Sequence, residues 1–177
     1  LFRFCLLFRF CLLFRFCLPL FLLLTAHAMA GEPLIVNGIG PAAKRVSVQD
    51  LAAIGLSEVK DARDLTVSGE TRRLEIRYGG VPLATLLGKL GLETLDRYAL
   101  RSATILVVAK DGYRASFSWA ELFNHPSGNA VMVITQENGV PNPAREGDFS
   151  LRAFSDLRPG PRHVRDVTEI RVELAPR

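Results

Sequence analysis

The stretch RRLEIRYGGVPLATLLGKLG, residues 72–91, contains a strand signal and a helix signal in immediate succession. In its first part, apolar and charged side chains alternate, which predicts a half-buried strand. The Gly79-Gly80 pair then predicts a break. The leucines that follow fall on one face of a helix, which Pro82 is suited to begin and Gly91 to end. A strand that leads directly into a short helix indicates a fold with both elements.

Further strand and turn signals lie on both sides of this stretch. Short apolar or alternating runs predict strands at residues 34–36, 65–67, 104–109, 130–135 and 170–174. Asp111-Gly112 and Asn138-Gly139 predict hairpin turns, and Ser47 and Ser118 are each suited to cap a short helix. Residues 141–161 are rich in turn formers and charge and predict a loop. We therefore expect a single α+β domain with a mixed or antiparallel β sheet and short helices.

The N-terminal segment has the three parts of a secretory signal peptide. Residues 1–18 repeat Leu-Phe-Arg-Phe-Cys-Leu three times, and the arginines give a positive start. An apolar run follows, and small residues at Ala26, Ala28 and Ala30 fit a cleavage site. We predict a signal peptide at residues 1–30, cleaved after Ala28 or Ala30, and a bacterial periplasmic or secreted domain at residues 31–177. No membrane segment is expected after cleavage.

Cysteine placement and charge exclude several functions for that domain. All three cysteines lie within the first 17 residues, at Cys5, Cys11 and Cys17. Residues 31–177 therefore offer no disulfide, no thiol nucleophile and no metal held by sulfur. Without the three arginines of the signal peptide, 19 Lys and Arg stand against 18 Asp and Glu. This near-neutral balance argues against a nucleic-acid partner.

The main concentration of cationic side chains lies near the C-terminus. Arg152, Arg158, Arg162, His163 and Arg165 fall within fourteen positions framed by Gly and Pro. Guanidinium groups and loop N–H groups suit a phosphate or another oxyanion. The alternative is a solvated loop whose arginines pair with nearby carboxylates, and composition alone favours it. Those carboxylates belong to Glu146, Asp148, Asp156 and Asp166.

A set of motifs in a particular order favours the oxyanion site over the solvated loop. The motifs are Tyr78-x-Gly80-Val81-Pro82-Leu83, Lys110-Asp111-Gly112-Tyr113, Asn138-Gly139-x-Pro141, Glu146-Gly147 and Arg162-His163-Val164-Arg165. Their order and spacing resemble the molybdopterin-binding oxidoreductase domain of sulfite oxidases and their small bacterial relatives. The resemblance extends from about Pro33 to Leu174.

This resemblance implies a sulfite-oxidase-type fold that binds a pterin cofactor with a terminal phosphate. By position, it implies that the cofactor is bound by Arg152, Arg162, His163 and Arg165. It identifies no catalytic residue and no metal ligand. The stretch that corresponds to the family's metal-binding cysteine loop, residues 67–73, offers Ser68 and Glu70 but no cysteine. Hard oxygen ligands replace a soft thiolate poorly, so the family's oxo-transfer chemistry is not expected.

Three functions remain. The first is a periplasmic or secreted domain that binds molybdopterin or another anionic small molecule through its arginine-rich segment. The second is a molybdenum-dependent oxidoreductase with atypical metal ligation, in which the cofactor's dithiolene holds the metal and Ser68 or Glu70 lies nearby. The third is a non-catalytic interaction partner of an envelope redox or sensing system. We favour the first, and the sequence leaves open whether the protein is an enzyme.

Overall fold

A computed structural model of the protein describes residues 31–158 and 160–175, and the side chains of all of these except residues 63–67. The predicted signal peptide, residues 1–30, lies outside the described residues. Within the described ranges, no helix has both the length and the apolar character needed to cross a membrane.

Strands dominate the fold, and the helices between them are short. The strands are β1 (Leu34–Asn37), β2 (Lys44–Val46), β3 (Ser57–Val67), β4 (Glu70–Pro82), β5 (Thr104–Ala109), β6 (Arg114–Ser118), β7 (Val131–Glu137), β8 (Val140–Pro141), β9 (Ser150–Ala153) and β10 (Val167–Glu173). The α-helices are α1 (Val48–Ile54), α2 (Leu83–Lys89), α3 (Arg97–Leu100) and α4 (Trp119–Phe123). Single 3₁₀ turns occur at Leu92–Thr94 and Gly128–Ala130.

The strands form two five-stranded sheets. Sheet A has the order β2-β1-β10-β5-β6, and its β1–β10 pair is parallel while its β1–β2, β10–β5 and β5–β6 pairs are antiparallel. Sheet B has the order β3-β4-β7-β8, with β9 also paired to β7, and these pairs are antiparallel. The predicted α+β fold with mixed or antiparallel pairing and short helices is confirmed, but the strands form two sheets where one was predicted.

The helix signals of the sequence are also confirmed. Leu83, Leu86 and Leu87 of α2 are buried in the main core. The Ser47 side chain accepts a hydrogen bond from the Asp50 backbone N–H, and the Asp50 carboxylate accepts one from the Ser47 N–H. Local sequence therefore determines where α1 begins.

The break predicted at Gly79-Gly80 is wrong, because β4 continues through both glycines to Pro82. An added Cβ at Gly80 would lie 2.2 Å from the backbone oxygen of Val133 on β7. The ladder between β4 and β7 also shifts register between Gly79 and Gly80. The glycines therefore allow two strands to approach closely and do not end one of them.

The loop predicted at residues 141–161 contains the short strand β9, which pairs with β7 and has all four residues buried. Its four residues, Ser-Leu-Arg-Ala, alternate polar and apolar side chains over too short a run to be recognised within a charged, turn-rich segment.

Strand β7 separates two clusters of buried side chains. Val131 and Val133 belong to the main core, whereas Met132 and Ile134 belong to a second cluster together with Tyr78. This division follows from the two-residue period of a strand, which sends successive side chains to opposite faces. The second cluster defines the outer face of sheet B, and the candidate site lies on this face.

Candidate anion-binding site

A tight turn before β9 directs Glu146 into the protein. The Glu146 N–H donates to the Pro143 carbonyl at 2.8 Å, and the Glu146 carbonyl accepts from the Asp166 N–H at 2.7 Å. Gly147 follows with a φ of 69°, and an added Cβ there would lie 2.7 Å from the Asp166 Cα. Only glycine suits this position, because its φ is in the left-handed region and Asp166 leaves no room for a Cβ atom. The Glu146 side chain is consequently 2% exposed.

Backbone pairing between β9 and the segment before β10 brings the cationic residues onto one face. Leu151 and Val164 exchange two backbone hydrogen bonds of 2.8 and 2.9 Å. Residues opposite one another in such a pair share a face, so His163 lies on the same side as Arg152. Arg165, two residues further on, returns to that side. Because Arg152 also stands opposite Met132 of β7, this is the outer face of sheet B.

These side chains meet at the Glu146 carboxylate. His163 Nε2 lies 2.7 Å from Glu146 Oε2. Three arginine nitrogens surround the other oxygen, Oε1: Arg165 Nε at 3.3 Å, Arg145 Nε at 3.6 Å and Arg152 Nη2 at 3.8 Å. We call these five residues the Glu146 cluster.

An aromatic ring lies beneath the buried arginine of the cluster. The Arg152 guanidinium carbon is 4.5 Å from the centroid of the Tyr78 ring, and Phe154 contacts the same ring at a tilt. Arg152 and Tyr78 are 6% and 3% exposed. A cation over a desolvated ring is stabilised by the ring quadrupole. The stack therefore fixes Arg152 in place on the outer face of sheet B.

The Glu146 cluster has a net positive charge. Burial raises the pKa of Glu146, but the His163 hydrogen bond and the charges of His163, Arg152 and Arg165 outweigh it, and the pKa lies below its usual range. Arg145 also pairs with Glu137 at 3.1 Å, so two carboxylates face three guanidinium groups before His163 is counted. The side chains of Arg145 and Arg165 are each 59% exposed, which leaves this charge accessible to solvent.

Arg162 is placed in a different environment. Its Nε donates to Asp156 Oδ2 at 2.7 Å, and its terminal nitrogens contact Asp156 and Glu121. The guanidinium lies over the Phe117 ring at 4.9 Å, and the hydrogen bond to Asp156 is the main cause of its raised pKa. We call these four residues the Arg162 cluster. The structure thus brings Arg152, His163 and Arg165 together and places Arg162 elsewhere, so its predicted ligand role stays a prediction.

The stretch expected at the metal position lies far from the Glu146 cluster. Ser68 and Gly69, with φ of 53° and 85°, form the exposed turn between β3 and β4. Along β4, Glu70 is eight residues from Tyr78, which corresponds to roughly 25 Å. Ser68 and Glu70 therefore do not join the Glu146 cluster. Among the described residues, no three His, Cys, Asp or Glu side chains are grouped to hold a metal ion.

A cleft of about 580 Å³ lies on the other side of the Glu146 turn. Its charged lining residues include Glu32, Asp148 and Asp166, against Arg45 and Lys110. Carboxylates thus outnumber cationic groups in this lining, so the cleft suits an anion less well than the Glu146 cluster does.

Two residues of the site were missed from the sequence. In the sequence, Tyr78 ends an alternating strand and begins one of the family motifs, and Arg145 is one charge in a turn-rich segment, but neither is predicted as a site residue. Ion pairing of Glu146 belongs to the alternative of a solvated loop, and Glu146 is also part of a family motif. One local signal could have indicated that Glu146 is buried: it directly precedes Gly147 in a segment rich in arginine.

Comparison with known proteins supports the fold. No protein-family model matches the sequence, and no curated protein matches it. The structure is similar to the crystal structure of the sulfane dehydrogenase SoxCD from Paracoccus pantotrophus, with a TM-score of 0.58 and 16% sequence identity. The match covers 80% of this chain but only 38% of that chain. At this identity the likeness shows a shared fold and nothing about activity.

Proposed function

We propose that the protein is a sulfite-oxidase-type domain that binds an anionic small molecule, such as the phosphate end of a pterin cofactor, at the Glu146 cluster. The observation that carries the proposal is the excess of guanidinium groups around one buried carboxylate. The sequence motifs and the fold shared with a sulfane dehydrogenase both agree with a pterin as the bound molecule.

The residues of the Glu146 cluster have different roles in binding. Buried Arg152 is fixed by Tyr78 and Glu146, and it supplies charge in a desolvated environment. The exposed guanidinium of Arg165 supplies the donors that reach a ligand, since a guanidinium matches an oxyanion geometrically. His163 Nε2 lies 2.7 Å from Glu146 Oε2, and this contact orients the imidazole ring within the cluster.

The residues present fit the phosphate of molybdopterin but not the family's metal ligation. Guanidinium groups suit the phosphate end. The family's thiolate has no counterpart, since the sequence from residue 18 onward contains no cysteine and Ser68 and Glu70 lie far from the cluster. The proposal therefore includes ligand binding and no redox step. When bound, molybdopterin would supply a dithiolene for a metal, and this chain's own residues would hold its anionic end.

The location of the protein is part of the same proposal. The N-terminal sequence supports export and cleavage after Ala28 or Ala30, which gives a periplasmic or secreted domain. An envelope redox or sensing protein would then be the partner that uses the bound molecule.

The proposal is tested by thermal unfolding of protein purified from bacteria that express the full chain. Phosphate, a pterin phosphate and the matching neutral pterin are added to the wild type, to Arg165→Ala and to Arg158→Ala. Arg158 is a matched control, because it is an exposed arginine of the same segment outside the Glu146 cluster. The anionic ligands should raise the Tm of the wild type and of Arg158→Ala, and should raise that of Arg165→Ala much less.

Two results would reject the proposal. One is the absence of any Tm increase with an anionic ligand in the wild type. The other is an equal loss of ligand stabilisation in Arg158→Ala and Arg165→Ala, which would indicate nonspecific screening of charge. Metal and pterin analysis of the same purified protein separates an anion site from the alternative of a molybdenum enzyme, which predicts about one molybdenum per chain.

A further inference from the structure

Strand β3 lies at the end of sheet B and has an unusually long open edge. It contains eleven residues, Ser57–Val67, and it pairs with β4 along this whole length. On its other side, no strand pairs with it within the described part of the chain. An edge of this length presents a row of backbone N–H and C=O groups that is suited to pairing with another strand.

The outer part of the β3–β4 hairpin extends beyond the rest of sheet B. Strand β4 pairs with β7 only from Tyr78 to Pro82, so the seven register pairs from Asp61–Ile76 to Val67–Glu70 form a two-stranded ribbon. A two-stranded ribbon is only marginally stable in water. This ribbon also carries Leu74, whose exposed fraction of 44% is large for a leucine on a sheet. Additional strands would stabilise it.

The sequence of β3 is complementary to itself about Ala62. In a symmetric antiparallel pair of two β3 strands, each residue stands opposite the residue equally far on the other side of the centre. The opposite residues would be Asp61 and Arg63, Lys60 and Asp64, and Val59 and Leu65. The first two combinations join opposite charges, and the third joins two apolar residues. Such cross-strand pairs stabilise a sheet, whereas like charges in these positions destabilise it.

We propose that two copies of the protein associate through β3, antiparallel, about a two-fold axis at Ala62. The two ribbons then form one four-stranded sheet in the order β4-β3-β3-β4. The interface is isologous, and each charged combination occurs twice because of the symmetry. This inference does not depend on the proposed anion site, since it rests on the open edge of β3, which holds none of the five residues of the Glu146 cluster.

A charge exchange tests the interface. Sedimentation of the purified full-chain product is measured for the wild type, Lys60→Asp, the double variant Lys60→Asp with Asp64→Lys, and the control Arg72→Glu. Arg72 is an exposed charge of the same ribbon, but it lies on β4 and has no place opposite a second copy. Lys60 is 66% exposed, and its partner Glu75 is 3.9 Å away, so its replacement should leave the fold intact, which circular dichroism checks.

The wild type and Arg72→Glu should sediment as dimers at a protein concentration of about 100 µM. Lys60→Asp should weaken the dimer about tenfold, because it places two like-charge pairs across the interface. The double variant should restore the dimer to near the wild-type affinity. A monomeric wild type would overturn the proposal, and so would a Lys60→Asp variant that dimerises as tightly as the wild type. A double variant that fails to recover would show that charge complementarity about Ala62 is not the cause.

Discussion

Arg152 and Arg162 belong to the same arginine-rich segment, yet their surroundings differ in one decisive respect. Both guanidinium groups lie over an aromatic ring, Tyr78 for Arg152 and Phe117 for Arg162. In the Glu146 cluster, however, three arginines converge on one buried carboxylate. In the Arg162 cluster, one arginine is shared by Glu121 and Asp156.

This comparison shows that the number of arginines in a segment does not identify an anion site. The balance of carboxylates around each guanidinium does, because it determines whether positive charge remains for a ligand. Arg162 contributes to the fold by joining α4 to the segment after β9, whereas the Glu146 cluster keeps an uncompensated charge at its exposed side.

The largest effect is expected from Glu146→Gln. This change removes the buried negative charge that Arg152 and His163 contact, and breaking a buried pair costs about 3 kcal/mol or more of unfolding free energy. Urea unfolding measures the loss. The matched control is Glu75→Gln, which removes an exposed partner of Lys60 and should cost less than about 0.5 kcal/mol.

The response of Glu146→Gln to phosphate provides a second test of the Glu146 cluster. Because Glu146→Gln increases the positive charge of the cluster, phosphate should recover part of its lost stability and should do so more strongly than in the wild type. Equal unfolding free energies for the Glu146 and Glu75 variants would contradict the role given to the buried carboxylate.

A smaller effect is expected from Arg162→Ala. This change leaves Glu121 and Asp156 without their shared donor and uncovers the Phe117 ring, at a cost of about 2 kcal/mol. Urea unfolding again measures the loss. Exposed Arg101, which stacks on the exposed ring of Tyr98, provides the control, and Arg101→Ala should unfold like the wild type. An Arg162→Ala variant as stable as this control would show that the Arg162 cluster has no structural role.

Acid should weaken the Glu146 cluster. The pKa of Glu146 is lower in the folded protein than its ordinary value of 4.5, so the unfolded chain binds more protons between those two values. Its contribution is therefore complete above about pH 4.5 and is lost as the pH falls through the folded-state pKa. Unfolding free energies measured against pH should fall more steeply in this window for the wild type than for Glu146→Gln. Parallel curves would mean that Glu146 is not the responsible group.

Much of the fold could be predicted from the sequence, because its signals are local. The Ser47 capping box, the leucine face of α2 and the Asp111-Gly112 turn depend on residues within a few positions of each other. Strand β9 could not be predicted, because it exists only through its pairing with β7. Gly79 and Gly80 were misinterpreted for a related reason, since their role depends on how closely β7 approaches.

The candidate site was predictable only in part. The arginine-rich segment could be identified as cationic, but pairing of Arg162 with Glu121 spans 41 positions and leaves no local signal. Stacking of Arg152 on Tyr78 likewise depends on the arrangement of β4, β7 and β9. Sequence thus indicated which charges are present, whereas the tertiary structure decides which of them are already neutralised.

The smallest effect on stability, and the most direct test of the difference between the two clusters, is expected from Arg165→Ala. Its side chain is 59% exposed, so the unfolding free energy should change by less than about 1 kcal/mol. Calorimetric titration of a pterin phosphate into the wild type, Arg165→Ala and Arg162→Ala measures the effect on binding. Affinity should fall at least about tenfold in Arg165→Ala, as expected for one charge-assisted contact, and should stay within about threefold in Arg162→Ala. A larger loss in Arg162→Ala than in Arg165→Ala would contradict the account.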